Sequence, residues 1–454
     1  MRKMLIWCRN PIHFGLVILA LVTLVQNTRS AFLVVRDSFS PPTLYQKDFL
    51  QEYVLGRALL TGVAPYQPVG QLAQQFGIQT DARLFPHATP HPLMMGLLGV
   101  PFAYFSYEQA ARLWWIFCLL GWGYAAFLLC LWWNGGWNGG WNVGWQKSHA
   151  TGWWWWALVL GFGWDPLAED AQVGQINVIL LILLLWAWHA LANKRDLAGG
   201  VSLGLALALK MTGWPIVLFL CLRQRWRAAL AAGTVFAFAQ MLMLGKLGWS
   251  GFQHYYQNVA PAVTAFYRAY DANISLWTVM PRLFAGTGTA ELEGIRAAPL
   301  IPWAFGGKLA WFAPLLVLFW GLWRTRKMND FELAFGLLVT LSLILNPVAW
   351  HHYLVMALIP IVIGWKRCQL AHSPRWLLLS LSLLTWVLVR PHNQWQALAR
   401  WAGGESAGIT HFSGWAGCLT LIPLMALLAL CLLLSQLSDD GKLTDSDALA
   451  NGLT

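Results

Sequence analysis

Lys210-Met211-Thr212-Gly213-Trp214-Pro215 interrupts an otherwise apolar run from Leu197 to Leu222. Basic residues stand on both sides of that run, Lys194-Arg195 before it and Arg223-Gln224-Arg225-Trp226-Arg227 after it. Short basic connections between apolar segments belong on the cytoplasmic side of a membrane. Both ends of the run then lie on one side, and a single unbroken helix does not fit. Gly and Pro supply the break. The pattern predicts two short helices, up and back, with Lys210 at the turn on the outer side.

Composition sets the same class. The 454 residues are 58% hydrophobic and 11% charged, against about 25% charged in an average soluble domain. Apolar runs recur along nearly the whole length, so the chain reads as an all-α polytopic membrane protein. Period-two alternation is not evident, which argues against an outer-membrane barrel. The net charge of +11 sits in short connections and does not point to nucleic acid. The 31 Trp suit interfacial belts. Cys8, Cys118, Cys130, Cys221, Cys368, Cys418 and Cys431 lie in or beside apolar segments without paired spacing. They read as small buried residues rather than disulfides or metal ligands.

Arg2, Lys3 and Arg9 place the N-terminus inside. A basic start before an apolar run also suits a signal peptide. No clean cleavage site stands out, and an uncleaved first helix over 11–34 is favoured. Further spans follow at 109–132, 151–166 and 176–192. After the split pair come 228–247, 301–323, 331–346, a return to Lys366-Arg367, 376–389 and 412–436. The expected total is about twelve helices, with every short basic cluster inside. Residues 1–437 read as one integral-membrane domain. Residues 438–454 are polar, with four Asp, and read as a disordered cytoplasmic tail. The Trp-Gly-Asn repeat at 133–145 reads as a loop with interfacial Trp.

The first outer loop begins with Gln46-Lys47-Asp48-Phe49-Leu50-Gln51-Glu52-Tyr53. A helix from Lys47 to Leu60 puts Asp48 and Glu52 on one face, four residues apart. Phe49, Tyr53 and Leu60 fall on another, and Thr61-Gly62 supplies the stop. That is an amphipathic helix beside the membrane, whose polar face is either solvated or functional. Pro90-His91-Pro92 opens a second juxtamembrane helix to Phe105. The same outer side receives Gly174-Gln175-Ile176-Asn177, Lys210 and His351-His352. Polar and ionisable residues at membrane depth are costly, so each is a functional candidate. Each has an ordinary reading too. Lys210 snorkels, the His pair caps a helix or sits at the surface, and Gln175 and Asn177 bond between helices. Adjacent histidines are poorly spaced as metal ligands, and no Glu or Cys cluster joins them in sequence. No metal is expected.

These pieces together carry a resemblance. Asp48-Phe49 with Tyr53, Ala58 and Gly62-Val63-Ala64-Pro65-Tyr66 is followed by Pro90-His91-Pro92-Leu93 with Pro101, then Gly174-Gln175-Ile176-Asn177. After these come Lys210 with Pro215, Asn273-Ile274-Ser275-Leu276, and Asn346-Pro347 with Trp350-His351-His352. In this order they resemble glycosyltransferase family 87, polyprenol-phosphate-sugar-dependent membrane enzymes of the GT-C superfamily. The resemblance covers 45–365. Pro90-His91-Pro92 departs from it, since relatives often carry a Tyr and adjacent prolines there.

The resemblance implies an inverting sugar transfer from a polyprenyl-phosphate donor to an acceptor hydroxyl at the outer face of a bacterial-type plasma membrane. Mannose or arabinose is the family-level sugar, and a glycolipid or glycan the acceptor. Asp48 is the implied general base. One essential carboxylate fits one-step inversion, whereas retention asks for a nucleophile as well. Lys210, facing no obvious partner, suits the donor phosphate as a point charge. His351 or His352 donates to the phosphate or orients Asp48. Arg282 and Asn273 are further candidates for phosphate or sugar contacts, and Tyr53, Gln175 and Asn177 for substrate contacts. Glu52 binds a sugar hydroxyl or faces water. No cofactor is required. A transporter or lipid flippase is the alternative, but internal repeats with midplane charges are not found.

Overall fold

The structure is a computed structural model and describes residues 36–80, 85–133, 165–268, 273–284, 301–303, 305–370 and 421–439. These residues are helical, without a strand; one isolated bridge joins Pro68 and Ala88. In chain order the helices are α1 (Phe49–Thr61), α2 (Val69–Gln75), α3 (Leu93–Gly99), α4 (Tyr107–Trp133) and α5 (Asp165–Val173). Then come α6 (Asn177–Ala192), α7 (Asp196–Leu209), α8 (Trp214–Leu222), α9 (Trp226–His254), α10 (Ala260–Arg268) and α11 (Val279–Phe284). After them lie α12 (Phe312–Lys327), α13 (Phe331–Ile344), the 3-10 helix His351–Ala357, α14 (Leu358–Leu370) and α15 (Leu421–Asp439).

The break at Lys210 is present. α7 ends at Leu209, and Gly213 adopts φ 96° before Pro215 in the first turn of α8. Only glycine takes that conformation without strain. α7 packs along both α6 and α9. α6 and α13 are buried nearly all round. The residues 107–132 and 226–267 form helices long and apolar enough to cross a membrane, while 177–192, 196–209 and 331–344 are shorter apolar helices. Among the described residues the expected count of about twelve spans is not confirmed. α6, with 16 residues, reaches about 24 Å, short of the ~30 Å hydrocarbon core. A helix enclosed by others can end early at a polar turn, because protein rather than lipid meets its ends. Exposed apolar residues line α4 (Leu113, Ile116, Leu120), α9 (Phe238, Met241) and α12 (Leu316, Phe319), as lipid-facing surfaces would. Among the described residues, Cys118, Cys130 and Cys221 are free thiols.

Three expectations need correction. α1 is not an amphipathic surface helix: residues 49–56 are buried throughout, Glu52 completely. Glycine explains this. A Cβ on Gly99 of α3 would lie 2.0 Å from the Glu52 carbonyl oxygen, and one on Gly56 would lie 2.6 Å from the Gly99 carbonyl carbon. The two backbones touch, and no side-chain layer remains for water. Second, Asp165 and Pro166 are helical and belong to α5 rather than to a turn. Third, α9 runs seven residues past the expected end at 247, to His254, with a kink at Gly248 (φ 68°). The predicted helices over 11–34 and 376–389, the body of that over 151–166, the repeat at 134–145 and the tail from 440 lie outside the described residues.

Candidate functional site

Asp48 occupies the N-cap position of α1, yet its carboxylate makes no capping hydrogen bond. Asp at this position ordinarily accepts from the first-turn N–H groups. Here Oδ2 accepts from Gln175 Nε2 at 2.7 Å, and among the described residues Oδ1 has only a long 3.5 Å contact with Gln51 Nε2.

Gln175 belongs to the turn between α5 and α6. Gly174 takes φ 72°, and the Gly174 and Gln175 N–H groups both donate to the Asp170 carbonyl, at 2.9 and 3.1 Å. The Gly174 carbonyl accepts from Trp114 Nε1 at 2.8 Å. The turn is thus pinned on both sides, with Gln175 and Asn177 directed to Lys210. Lys210 Nζ donates to Gln175 Oε1 at 3.2 Å and to Asn177 Oδ1 at 3.4 Å, and lies 3.8 Å from the Tyr353 ring centroid. Asn177 Nδ2 donates onward to Asp170 Oδ1 at 2.7 Å. Because an ammonium only donates, it fixes which way both amides face. The result is one continuous chain, Asp48–Gln175–Lys210–Asn177–Asp170. The expectation that Lys210 faces no partner is corrected accordingly.

Desolvation in the turn, outside both helices, lowers the Lys210 ammonium to about 8, against the pull of Asp170, Asp48 and Glu52. Burial raises the Asp170 carboxyl well above the ordinary range, opposed by Asn177 and Lys210.

The His pair opens the 3-10 helix after Trp350. His351 Nδ1 lies 2.7 Å from Glu169 Oε2, and His352 Nδ1 lies 3.3 Å from Glu169 Oε1. A carboxylate therefore does join the histidines, although 182 residues separate Glu169 from His351. Burial raises the Glu169 carboxyl, and the two imidazole hydrogen bonds more than reverse that, holding it well below the usual carboxylate range. The His352 ring meets the Tyr353 ring edge-on at 5.1 Å, which links the pair to Lys210. Among the described residues no group of three or more His, Cys, Asp or Glu is placed to hold a metal ion.

Glu52, one turn along α1, is fully buried, with Oε1 2.9 Å from His91 Nδ1 but out of line for a hydrogen bond. Lys47 is buried beside Asp48; its Nζ donates to Ser38 Oγ (2.8 Å) and the Gln172 carbonyl (2.7 Å). Burial lowers this ammonium to about 8.

Three expected residues lie in other arrangements. Tyr53 donates its hydroxyl to the Phe105 carbonyl at 2.8 Å and packs edge-on against Tyr107. Asn273 Nδ2 donates to the carbonyls of Tyr267 and Pro347, and Oδ1 accepts from the N–H groups of Ser275 and Ala349. Arg282 Nη1 donates to the Asn273 carbonyl and to Thr278 Oγ1. Asn273 and Arg282 together lace 273–282 to the turn that leads into the His pair. Sequence reasoning missed Glu169, Asp170 and Lys47. Two adjacent acids in a nine-residue segment before an apolar run were the available signal.

A sequence profile described as glycosyltransferase family 87 matches residues 90–347. The span includes Glu169, Asp170, Gln175, Asn177, Lys210, Asn273 and Arg282; Asp48 precedes it and the His pair follows it. A polyprenol-phosphate-mannose-dependent alpha-(1-2)-phosphatidylinositol mannoside mannosyltransferase of Mycobacterium tuberculosis is 28% identical over 233 residues, covering 50% of this chain and 49% of that protein. Its Mycolicibacterium smegmatis namesake is 24% identical over 219 residues, 44% of this chain and 43% of that one. A Mycobacterium tuberculosis polyprenol-phosphate-mannose-dependent alpha-(1-2)-phosphatidylinositol pentamannoside mannosyltransferase is 25% identical over 303 residues, 62% of this chain and 61% of that one. The chain spans about half the length of the curated relatives it matches. No solved structure matches. With the profile covering more than half of its length, the chain belongs to glycosyltransferase family 87.

Proposed function

We propose that this protein transfers a sugar, mannose or a close relative, from a polyprenyl-phosphate donor to a glycolipid hydroxyl, with inversion. The observation that carries the reading is the Asp48–Gln175–Lys210 chain. It sets a carboxylate and an ammonium on the two ends of one amide. An acid without its usual capping bond and a cation held by neutral oxygens are both available to substrate.

The acceptor oxygen forms a bond to the anomeric carbon as the bond from that carbon to the phosphate oxygen breaks. The departing electron pair goes to the lipid phosphate. Asp48 takes the acceptor proton, and Oδ1 is the suited atom because Gln175 occupies Oδ2. Lys210 and the His351-His352 pair face the phosphate as its charge grows. Gln175 and Asn177 act here as holders of Lys210 and Asp48 rather than as sugar contacts. Asn273, Arg282 and Tyr53 are assigned to shaping the pocket. No step calls for a divalent ion. The active end is assigned to the extracytoplasmic side, since Lys194, Arg195, Arg227, Arg326 and Lys327 cluster at connections on the opposite end. One domain carries the whole reaction.

The test offers purified protein a panel of polyprenyl-phosphate sugars with phosphatidylinositol mannosides as acceptors. Consumption of polyprenyl-phosphate mannose with release of the lipid phosphate is the expected result. Consumption of none of the panel would sink the reading.

A further inference from the structure

Glu169 is the one carboxylate described at this end that bridges two imidazoles, and it does so through Nδ1 of both. A carboxylate accepts, so each ring presents its Nδ1–H to Glu169. Each ring's Nε2 then points away from Glu169. His352 Nε2 is buried without a hydrogen-bond partner among the described residues. About a third of the Glu169 side chain stays accessible, 32%, so the cluster borders an opening rather than sitting in a sealed core. A buried imidazole edge with nothing to bond is costly unless a ligand meets it.

We infer that Glu169 is a positioning residue that holds His351 and His352 side by side as a two-pronged N–H clamp for the lipid phosphate of donor and product. This rests on the function proposed above and deepens it. With Nδ1–H given to Glu169, Nε2 donates to a phosphate in the imidazolium form, where both ring nitrogens carry a proton. The phosphate then meets two donors whose backs are braced, with Lys210 beyond the Tyr353 ring as a third cation. Among the described residues, other charged groups facing the pair are few. α5 contributes Glu169 and Asp170, and α7 leads into Lys210; α1 contributes Asp48 and Glu52, whose charges reach Tyr353. On α13 and α14, Glu332, Lys366 and Arg367 engage Trp132 and one another instead. The bridging geometry explains why two adjacent histidines, poor as metal ligands, are useful together: one acid orients both.

The test measures binding of a polyprenyl phosphate, without sugar, to the full-length protein in nanodiscs at about pH 6.5 and about pH 8.5, around the ordinary histidine range. Wild type is expected to bind and to weaken as pH rises. Glu169→Gln should weaken binding about tenfold and bring the loss to lower pH, since its amide accepts from one ring only. Glu169→Asp should recover part of the affinity. Glu169→Gln binding like wild type, with the same pH dependence, overturns the inference and leaves the proposed function standing. So does an equal loss at every pH with Glu169→Asp no better, which marks a purely structural role. A wild-type protein that does not bind the lipid phosphate at all overturns both.

Discussion

At the basic end of the bundle, acids and bases meet directly. Arg367 Nε lies 2.9 Å from Asp330 Oδ2 and Nη2 donates to Glu332 Oε2 at 3.1 Å. Asp330 also caps α13 through the N–H groups of Glu332 and Leu333. Arg225 Nε donates to Asp196 at 3.0 Å. At the Asp48 end the arrangement differs. Lys210 reaches Asp48 and Asp170 only through the amides of Gln175 and Asn177. A direct pair spends both charges on each other, which suits a lock between helix ends. An amide between them holds both in place and leaves each with capacity for a substrate. For Lys210 and Arg367 the contrast lies in what stands between each cation and its counterion; the Glu169–histidine contacts are direct, but each ring keeps a second nitrogen for a ligand.

The sharpest break of that contrast is Asp48→Asn. Transfer should fall about a thousandfold while the protein folds; wild-type turnover would remove Asp48 as base. Next is Lys210→Met, which should raise the donor KM by tenfold or somewhat more, about 1.5–3 kcal/mol of lost charged hydrogen bonding. The acceptor KM should stay, and a parallel rise in both would deny it a phosphate role. Arg367→Met tests the other end. It should lower the Tm, by about 1–2 kcal/mol of stability, and leave both KM values alone. A changed donor KM there would mean the two ends are coupled. The last test concerns Lys47 and reads stability alone. Its ammonium titrates near 8 when folded, below its ordinary value. Between there and about 10.5 the unfolded chain holds more protons, so stability rises with pH through that window. The rise should vanish in Lys47→Met, as a thermal melt at each pH would show.

Much of this was legible in the residues. The Lys210 break followed from basic clusters on both sides of one apolar run, a constraint independent of packing. The helix after Asp48 and its Gly62 stop were legible for the same local reasons. Glu169 was not: its partner lies 182 residues away, and nothing local marks a short polar helix as a bridge. The burial of α1 also escaped the pattern, because its cause is the absence of side chains at Gly96 and Gly99 of α3. Asn273 and Arg282 were visible as polar residues in an apolar chain, but function and scaffolding look alike at that level.

The contact of Gly56, Gly96 and Gly99 has a consequence for how this protein can vary. The acid-bearing helix is seated backbone against backbone, with Glu52 carbonyl to Gly99 the tightest point. No rotamer change relieves a methyl group there; one helix must shift, at about 1–3 kcal/mol. A residue that never meets a sugar would then displace the one that takes its proton. In a library of random variants, Gly99 should therefore tolerate as few replacements as Asp48, with the inactive variants still inserted in the membrane.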